Sequence, residues 1–469
     1  MTTTSSTSGT ALIQGTSYTS GAGIDVTSTV DAIIAQKQIP ETAWKNDQAT
    51  ISAQQTALGT LRTEIGSLET SFQDLHDFFG VFSGLNATSS NSSVVTATAT
   101  TGASSGTHMI TVANLASTGV SYSNPQTSAT SAIAAGALVF KIGDGAAQTI
   151  NIPGDTVTAS DGTTSISATT TLKAEAAYIN QQSNLGIEAT IVTDSLGARL
   201  SLTSTASGAA GSVSVLSTPD GQTFSNIAGI DAKLTVDGVP LVSSSNKLST
   251  AIPGVTLNLT GVSTSETELD ISPDTEKITA AANSFITSYN AAITDLQNQF
   301  QYSAGATAGV LETDPAARQI QAQLLSAISV VTDGNATFKT LGSLGISMGD
   351  DGTLSLDSSK FSSALNDNFS DVQSFFQSTD TSSFAQSFTS LMDEMTDLSN
   401  SPIVLDLNSL KTTYADDQKN IDDLEANLVT TRAVLVAKYS SLDALLKTFP
   451  SKMDQVNTLL GYKTTNSSS

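Results

Sequence analysis

The chain contains no cysteine. A disulfide scaffold, a zinc-thiolate centre and a thiol nucleophile are therefore excluded. Charged residues make up 13% of the 469 positions, about half the roughly 25% of ordinary soluble domains. Positive charge is especially scarce: 19 Lys and Arg stand against 43 Asp and Glu, a net charge of −24. Such a field repels nucleic acid and anionic lipid, so neither is expected as a partner. No run reaches the ~18 apolar residues of a membrane span. The opening Met1-Thr2-Thr3-Thr4 has no basic segment and no apolar segment of a cleaved signal peptide. Lack of cysteine suggests export without oxidative folding, by a route other than a cleaved signal.

Histidine is also rare, with only His76 and His108. Neither has the neighbours of a triad or a metal cluster, and both read as ordinary side chains. Gly349-Asp350-Asp351-Gly352 lacks the spaced oxygen ligands and terminal Glu of an EF-hand loop, and reads as a hairpin turn. Gly143-Asp144-Gly145 has no phosphate-loop Lys after it and reads the same way. Ser244-Ser245-Asn246-Lys247 fits a Ser-x-x-Lys pattern inside a Ser-rich loop, where chance explains it. No catalytic, cofactor-binding or metal-binding residue is expected, and no enzyme.

What the chain does have is a heptad stripe at each end. Trp44, Ile51, Leu58, Ile65, Phe72 and Phe79 place one large apolar residue at every seventh position. Leu407, Tyr414, Ile421, Leu428, Leu435, Leu442 and Phe449 do so again. A sustained seven-residue repeat specifies a coiled-coil seam. The first predicts a long helix over about 41–82, preceded by a short one over 24–38 that Asp25 caps and Pro40 interrupts. The second predicts a helix from about 403 that Pro450 breaks, leaving 451–461 as a separate short helix. At 1.5 Å per residue the arms are roughly 63 and 70 Å long, which suits antiparallel pairing. The second seam of the C-terminal arm carries Asp417 and Lys438, so that pair is expected to be incomplete and to find its remaining partners in further copies of the chain.

Between the arms the apolar period falls to two. Val94–Ala99 and Met109–Val112 read as strands across a Gly/Ser turn, followed by a linker near 121–136. Leu138–Ile142 with Gln148–Ile152, and Ile187–Thr193 with Arg199–Thr203, read as hairpins around a short helix at Leu172–Asn184. Leu234–Val236, Val255–Leu259 and Glu268–Ile271 resume the first β layer, so the inner block is inserted into the outer one. Helices follow from Asp274 or Thr275 and from Asp314-Pro315, then a hairpin at Leu344–Leu356.

The fold class is α+β and multidomain: terminal antiparallel coiled-coil helices, a helical domain, and two β-rich head domains, one inserted in the other. The expected divisions are a disordered start over 1–20, N-terminal helices over 21–83, a first β domain from 84–125 plus 231–272, an inserted outer β domain over 126–230, a helical domain with a hairpin over 273–402, a C-terminal arm over 403–461 and a tail over 462–469.

The order and spacing of these segments resemble the flagellar hook-associated protein 2 family. Gly23-Ile24-Asp25-Val26, then a short helix, a proline and the heptad helix, match its opening. Tyr178-Ile179-Asn180 with the hairpin after it looks like the flagellin hook Ile-Asn motif. Gly254–Leu257, Phe285, Tyr289-Asn290, and Leu344-Gly345-Ile346 through Asp357 match the C-terminal portion, so the resemblance spans about 20–461. Pro450 departs from the family pattern. The resemblance implies a homo-oligomeric cap at the distal filament tip, secreted by the flagellar type III export system, that directs insertion of exported flagellin. It implies contacts with flagellin, hook-filament junction proteins and an export chaperone, and in some members with host surface glycans. A flagellin-like filament or junction subunit, or a glycan-binding adhesin, is the alternative.

Overall fold

In a computed structural model the described residues are 23–158, 160, 163–300, 309–332, 335 and 337–461. The expected disordered start and the tail lie outside them. Helices are α1 (Val26–Lys37), α2 (Ile39–His76), α3 (Leu172–Gln181), α4 (Thr275–Phe300), α5 (Pro315–Ile328), α6 (Ser358–Asp367), α7 (Phe369–Gln377), α8 (Phe384–Thr396) and α9 (Pro402–Leu459). The chain forms two compact units. One is helical, comprising residues up to Ser71, Phe285–Asp357 and Ser378 onward; the other is β-rich and comprises Phe72–Ser284 and Ser358–Gln377. Parts of α2 and α4 belong to each.

In the helical unit, local chemistry sets the helix starts. Asp25, Asp314 and Ser401 each accept a hydrogen bond from a backbone N–H in the first turn of α1, α5 and α9. Pro40 stands in the first turn of α2, where an N–H would be unpaired anyway, so it opens that helix. The buried residues include Leu58, Leu61, Ile65 and Leu68 of α2, Tyr289, Ile293 and Leu296 of α4, Ile320 and Leu324 of α5, and Met392 of α8. Phe285 packs edge-on against Phe388, which lies 5.5 Å from Phe384. Ile346–Met348 and Leu354–Leu356 form the expected hairpin. Its turn is closed by Asp351, whose carboxylate accepts from the Thr353 N–H and hydroxyl.

Pro450 does not break α9, which runs unbroken to Leu459. All residues from 444 to 456 are exposed, so water can satisfy the carbonyl left without its donor. The proline still removes one hydrogen bond. Pro450→Ala is expected to stabilise the last two turns of α9 by about 3 kcal/mol, read as slower amide exchange over 446–459. Unchanged exchange there would show that the proline costs nothing in this helix.

In the β-rich unit, a five-stranded antiparallel sheet has the order Leu85–Ser89, Ser263–Pro273, Gly106–Asn114, Ala232–Val236, Val239–Ser243. A three-stranded sheet has the order Lys247–Ile252, Val255–Leu259, Val95–Ala99. Val95, Ile110, Val112, Leu234, Leu257 and Leu269 share one core with them. The expected turn-linked pair of Val94–Ala99 and Met109–Val112 does not form: the first pairs with Val255–Leu259, the second with Ser263–Pro273 and Ala232–Val236. In both cases strands distant in sequence supply the partners.

Between the outer strands lies a second β block with its own core, including Leu138, Phe140, Leu172, Ile179, Leu200 and Leu202. Both expected hairpins are present. The expected linker is partly strand, at Thr118–Ser123 and Ala132–Ala134. Its inward positions are Gly119, Ser121 and Ser123, which leave no apolar alternation to read. Gly119 is needed, because a Cβ there would lie 2.5 Å from the Ser212 Cα. Ser123 accepts from the Leu200 N–H at 2.9 Å and Ser121 donates to Asn226 at 2.6 Å. In the same unit α2 ends at His76, six residues short of the expected 82. A turn at Asp77–Gly80 follows, and a Cβ on Gly80 would meet the Asp74 carbonyl oxygen at 2.6 Å. Phe82 is buried from a single 3-10 turn and rests on Phe369 and Phe376.

Three asparagine side chains each clamp a distant backbone residue by both its N–H and its C=O. Asn180 of α3 holds Ala189 at 2.8 and 2.7 Å. Asn246 holds Ala116 at 2.7 and 2.9 Å. Asn290 of α4 holds Leu354 at 2.6 and 2.8 Å. A primary amide has one acceptor and two donors, so it alone among small side chains can replace a missing strand partner in this way.

Candidate self-association surface

The terminal helices belong to the helical unit. Asp25 caps α1 by accepting from the Ser28 N–H and hydroxyl, which also hold its carboxyl below the usual carboxylate range. This start aims Val30 and Ile34 at Leu428 of α9, with Val26, Leu424, Leu435 and Tyr439 around them. Asp31 pairs with Arg432 at 2.5 Å. Gly23 lies so close to α9 that a Cβ would stand 2.0 Å from Asp443 Oδ1. Within α9, Asp443 also holds Lys447 at 2.7 Å. Nearer the unit's core, Gln48 of α2 donates to the Tyr414 carbonyl at 3.3 Å and to Gln418 Oε1 at 3.2 Å. Position 23 thus faces 443, 31 faces 432 and 48 faces 414 to 418, an antiparallel pairing.

The two stripes meet different fates. Ile51, Leu58, Ile65 and Phe72 are buried, and Trp44 is half-buried. Phe79 is not on the helix at all; it is 84% exposed in the turn after α2, against Phe78. Along α9, Ile421 and Leu428 are buried and Leu407 and Leu435 half-buried. Tyr414, Leu442 and Phe449 are exposed, at 37%, 41% and 58%.

The outer half of α9 therefore faces α1, where the expectation set it against α2. Of the second seam, Asp417 is half-buried and Lys438 exposed. Leu445, Leu446, Met453, Val456 and Leu459 are exposed, by 36% at Leu446 to 86% at Leu459. The signal for α1 as a partner was present in Val26, Val30 and Ile34 at helical spacing. The polar contacts at Asp31, Gln48 and Gly23 carried no signal, because exposed polar residues look alike until a neighbour is assigned.

The histidines have local duties in the β-rich unit. The His108 ring contacts the Asp237 carboxylate at 2.7 Å and helps hold that carboxyl below its usual range. The His76 ring contacts the Phe376 carbonyl at 2.9 Å. Asn246 of the Ser-x-x-Lys stretch is one of the backbone clamps. Among the described residues no group of three His, Cys, Asp or Glu is placed to hold a metal ion. No described helix is long and apolar enough to cross a membrane.

Family models match three stretches of the chain. The model of the flagellar hook-associated protein 2 N-terminus matches residues 22–119, and that of its C-terminus matches 229–451. The chain belongs to the flagellar hook-associated protein 2 family. Between them, residues 138–206 match the flagellin hook IN motif, which here contains the Ile179 core contact and the Asn180 clamp. The chain is 26% identical over 468 residues to the B-type flagellar hook-associated protein 2 of Pseudomonas aeruginosa, covering 92% of this chain and 94% of the relative. It is 27% identical to the flagellar hook-associated protein 2 of Escherichia coli K12, covering 75% and 78%. The crystal structure of the D1-D2-D3 domains of the Escherichia coli flagellar cap protein superposes with a TM-score of 0.53 at 26% identity, covering 76% of this chain and 99% of that one.

Proposed function

We propose that several copies of this chain form a cap at the distal end of the bacterial flagellar filament and direct the insertion of exported flagellin. The role is structural, with no chemistry assigned to it. The observation that carries this reading is the half-open stripe of α9. Its stretch from Leu424 to Tyr439 is covered by α1, and beyond that it is an apolar strip that a neighbouring subunit or the filament tip would complete. The relatives named above are hook-associated and cap proteins, which supports the same reading. Export by the flagellar type III system, an export chaperone, and contacts with flagellin and junction proteins follow from it. Contact of the inserted β block with surface glycans is a secondary role on the same reading.

A strain lacking this chain is expected to grow few or no filaments and to release flagellin monomers into the medium. Full-length filaments in that strain would overturn the cap. Electron microscopy of the purified protein separates the alternatives. Closed rings or stacked plates support a cap, long filaments a flagellin-like subunit, and lone monomers that bind glycan an adhesin.

A further inference from the structure

Two neighbouring phenyl rings of the β-rich unit stand in water. Phe78 is 72% and Phe79 84% exposed, with ring centroids 5.2 Å apart and planes perpendicular. A single exposed apolar side chain is ordinary, but two adjoining phenyl rings leave a large apolar area uncovered. The turn that carries them is braced on both sides. The Asp77 N–H donates to the Gln73 carbonyl at 2.8 Å, and the Gly80 N–H donates to the Asp77 carbonyl at 2.9 Å. Gln377 of α7 donates to the same Asp77 carbonyl at 2.7 Å. Beyond the turn, the N–H and hydroxyl of Ser83 both donate to the Gly80 carbonyl, at 3.1 and 2.8 Å. Phe82 is 3% exposed against Phe369 and Phe376, so the same segment buries one ring and holds two outside. Rings on a braced turn lose little freedom when a partner covers them.

The charge around the rings has one sign. Asp74 and Asp77 are exposed, and neither has an ion-pair partner among the described residues. With Glu64 and Glu69 they make four carboxyl residues over 64–77, and no Lys or Arg stands between Arg62 and Lys141. The face of an aromatic ring is itself negative and attracts cations. The chain shows this contact elsewhere, with the Arg318 guanidinium 5.1 Å from the centre of the Phe300 ring. A second copy is a poor match. It carries a net charge of −24, and Lys45, Arg199, Lys277, Lys419, Arg432 and Lys447 are already held by carboxylates of their own chain.

We propose that the Phe78–Phe79 turn is a docking knob for a different, basic protein, one that offers an apolar recess rimmed by Arg or Lys. The rings fill the recess, and the rim cations meet the ring faces and the carboxylates of Asp74 and Asp77. This surface is separate in sequence from the α9 strip, and the inference holds whether or not that strip joins copies of the chain.

The test is binding of the full chain to a fluorescent helical peptide with Leu along one face and Arg along the other. Replacing Phe78 and Phe79 together by Ser is expected to weaken binding roughly tenfold or more, as for a central aromatic anchor. Asp74→Asn with Asp77→Asn should weaken it about twofold to fivefold, the range of exposed charge pairs, and reduce its salt dependence. Val192→Ser with Leu196→Ser, which removes exposed apolar groups elsewhere in the same unit, should change nothing. The melting temperature of the Phe variant is expected to equal that of the wild type. Four results would overturn the proposal. Equal peptide binding by the Phe variant would reduce the effect to attraction by net charge. A lowered melting temperature would assign the rings to the chain's own core. Wild-type oligomers that dissociate in the Phe variant would assign them to a second copy. Wild-type binding to phosphatidylcholine vesicles, lost in the Phe variant, would assign them to a lipid surface.

Discussion

Asn290→Ala is expected to destabilise the helical unit by about 2–4 kcal/mol. The substitution deletes two hydrogen bonds and leaves the N–H and C=O of Leu354 without partners. Leaving a buried polar group unpaired costs about 1–3 kcal/mol each, and Leu354 is 4% exposed. Packing loss is small by comparison, because Asn290 is only half-buried. Asn290→Asp should be nearly as damaging, since it keeps the acceptor but sets a carboxylate oxygen against the Leu354 carbonyl. Denaturant unfolding followed by helix signal measures both. The equivalent change at Asn180 should cost a similar amount in the inserted β block. A loss below ~0.5 kcal/mol at Asn290, the range of ordinary surface changes, would show that water replaces the clamp without penalty.

The second large effect is expected at Leu428. This side chain is 6% exposed and lies against Val30 and Ile34. Leu428→Asp would bury a carboxylate with no partner, a penalty of about 3–5 kcal/mol. The cluster around it is small, so the helix cannot absorb that cost by repacking. Separation of α1 from α9 is the outcome expected, with the β-rich unit still folded. Oligomers should then be lost in sedimentation while strand signal in circular dichroism stays unchanged. Unaltered sedimentation would show that this part of the stripe is no part of the assembly surface. Leu442→Asp is the informative companion. Leu442 is already 41% exposed, so its substitution should cost little in the monomer and any loss of assembly would report on an intersubunit contact.

The heptads, the caps at Asp25 and Asp314, and the hairpins at Leu138–Ile152, Ile187–Thr203 and Ile346–Leu356 could be read directly from the chain. Each rests on residues close together, where side-chain spacing and turn chemistry act before any distant neighbour is present. The asparagine clamps could not be read in this way. Asn180, Asn246 and Asn290 resemble any other surface asparagine until the fold sets a backbone residue opposite, 64 positions away in the case of Leu354.

By itself, the sequence determined that two long helices flank a β-rich insertion, where most of them begin, and that neither cysteine chemistry nor a membrane-spanning run has a place in the chain. Only the tertiary structure decided which surfaces meet. It set the outer half of α9 against α1, split the strands 94–99 and 109–112 between two sheets, and carried α9 through Pro450. Local pattern states which face of an element is apolar, but partner choice depends on comparing desolvation and loop closure across the whole chain. Those costs are set by distant residues, and they decided how much of the α9 stripe the single chain covers.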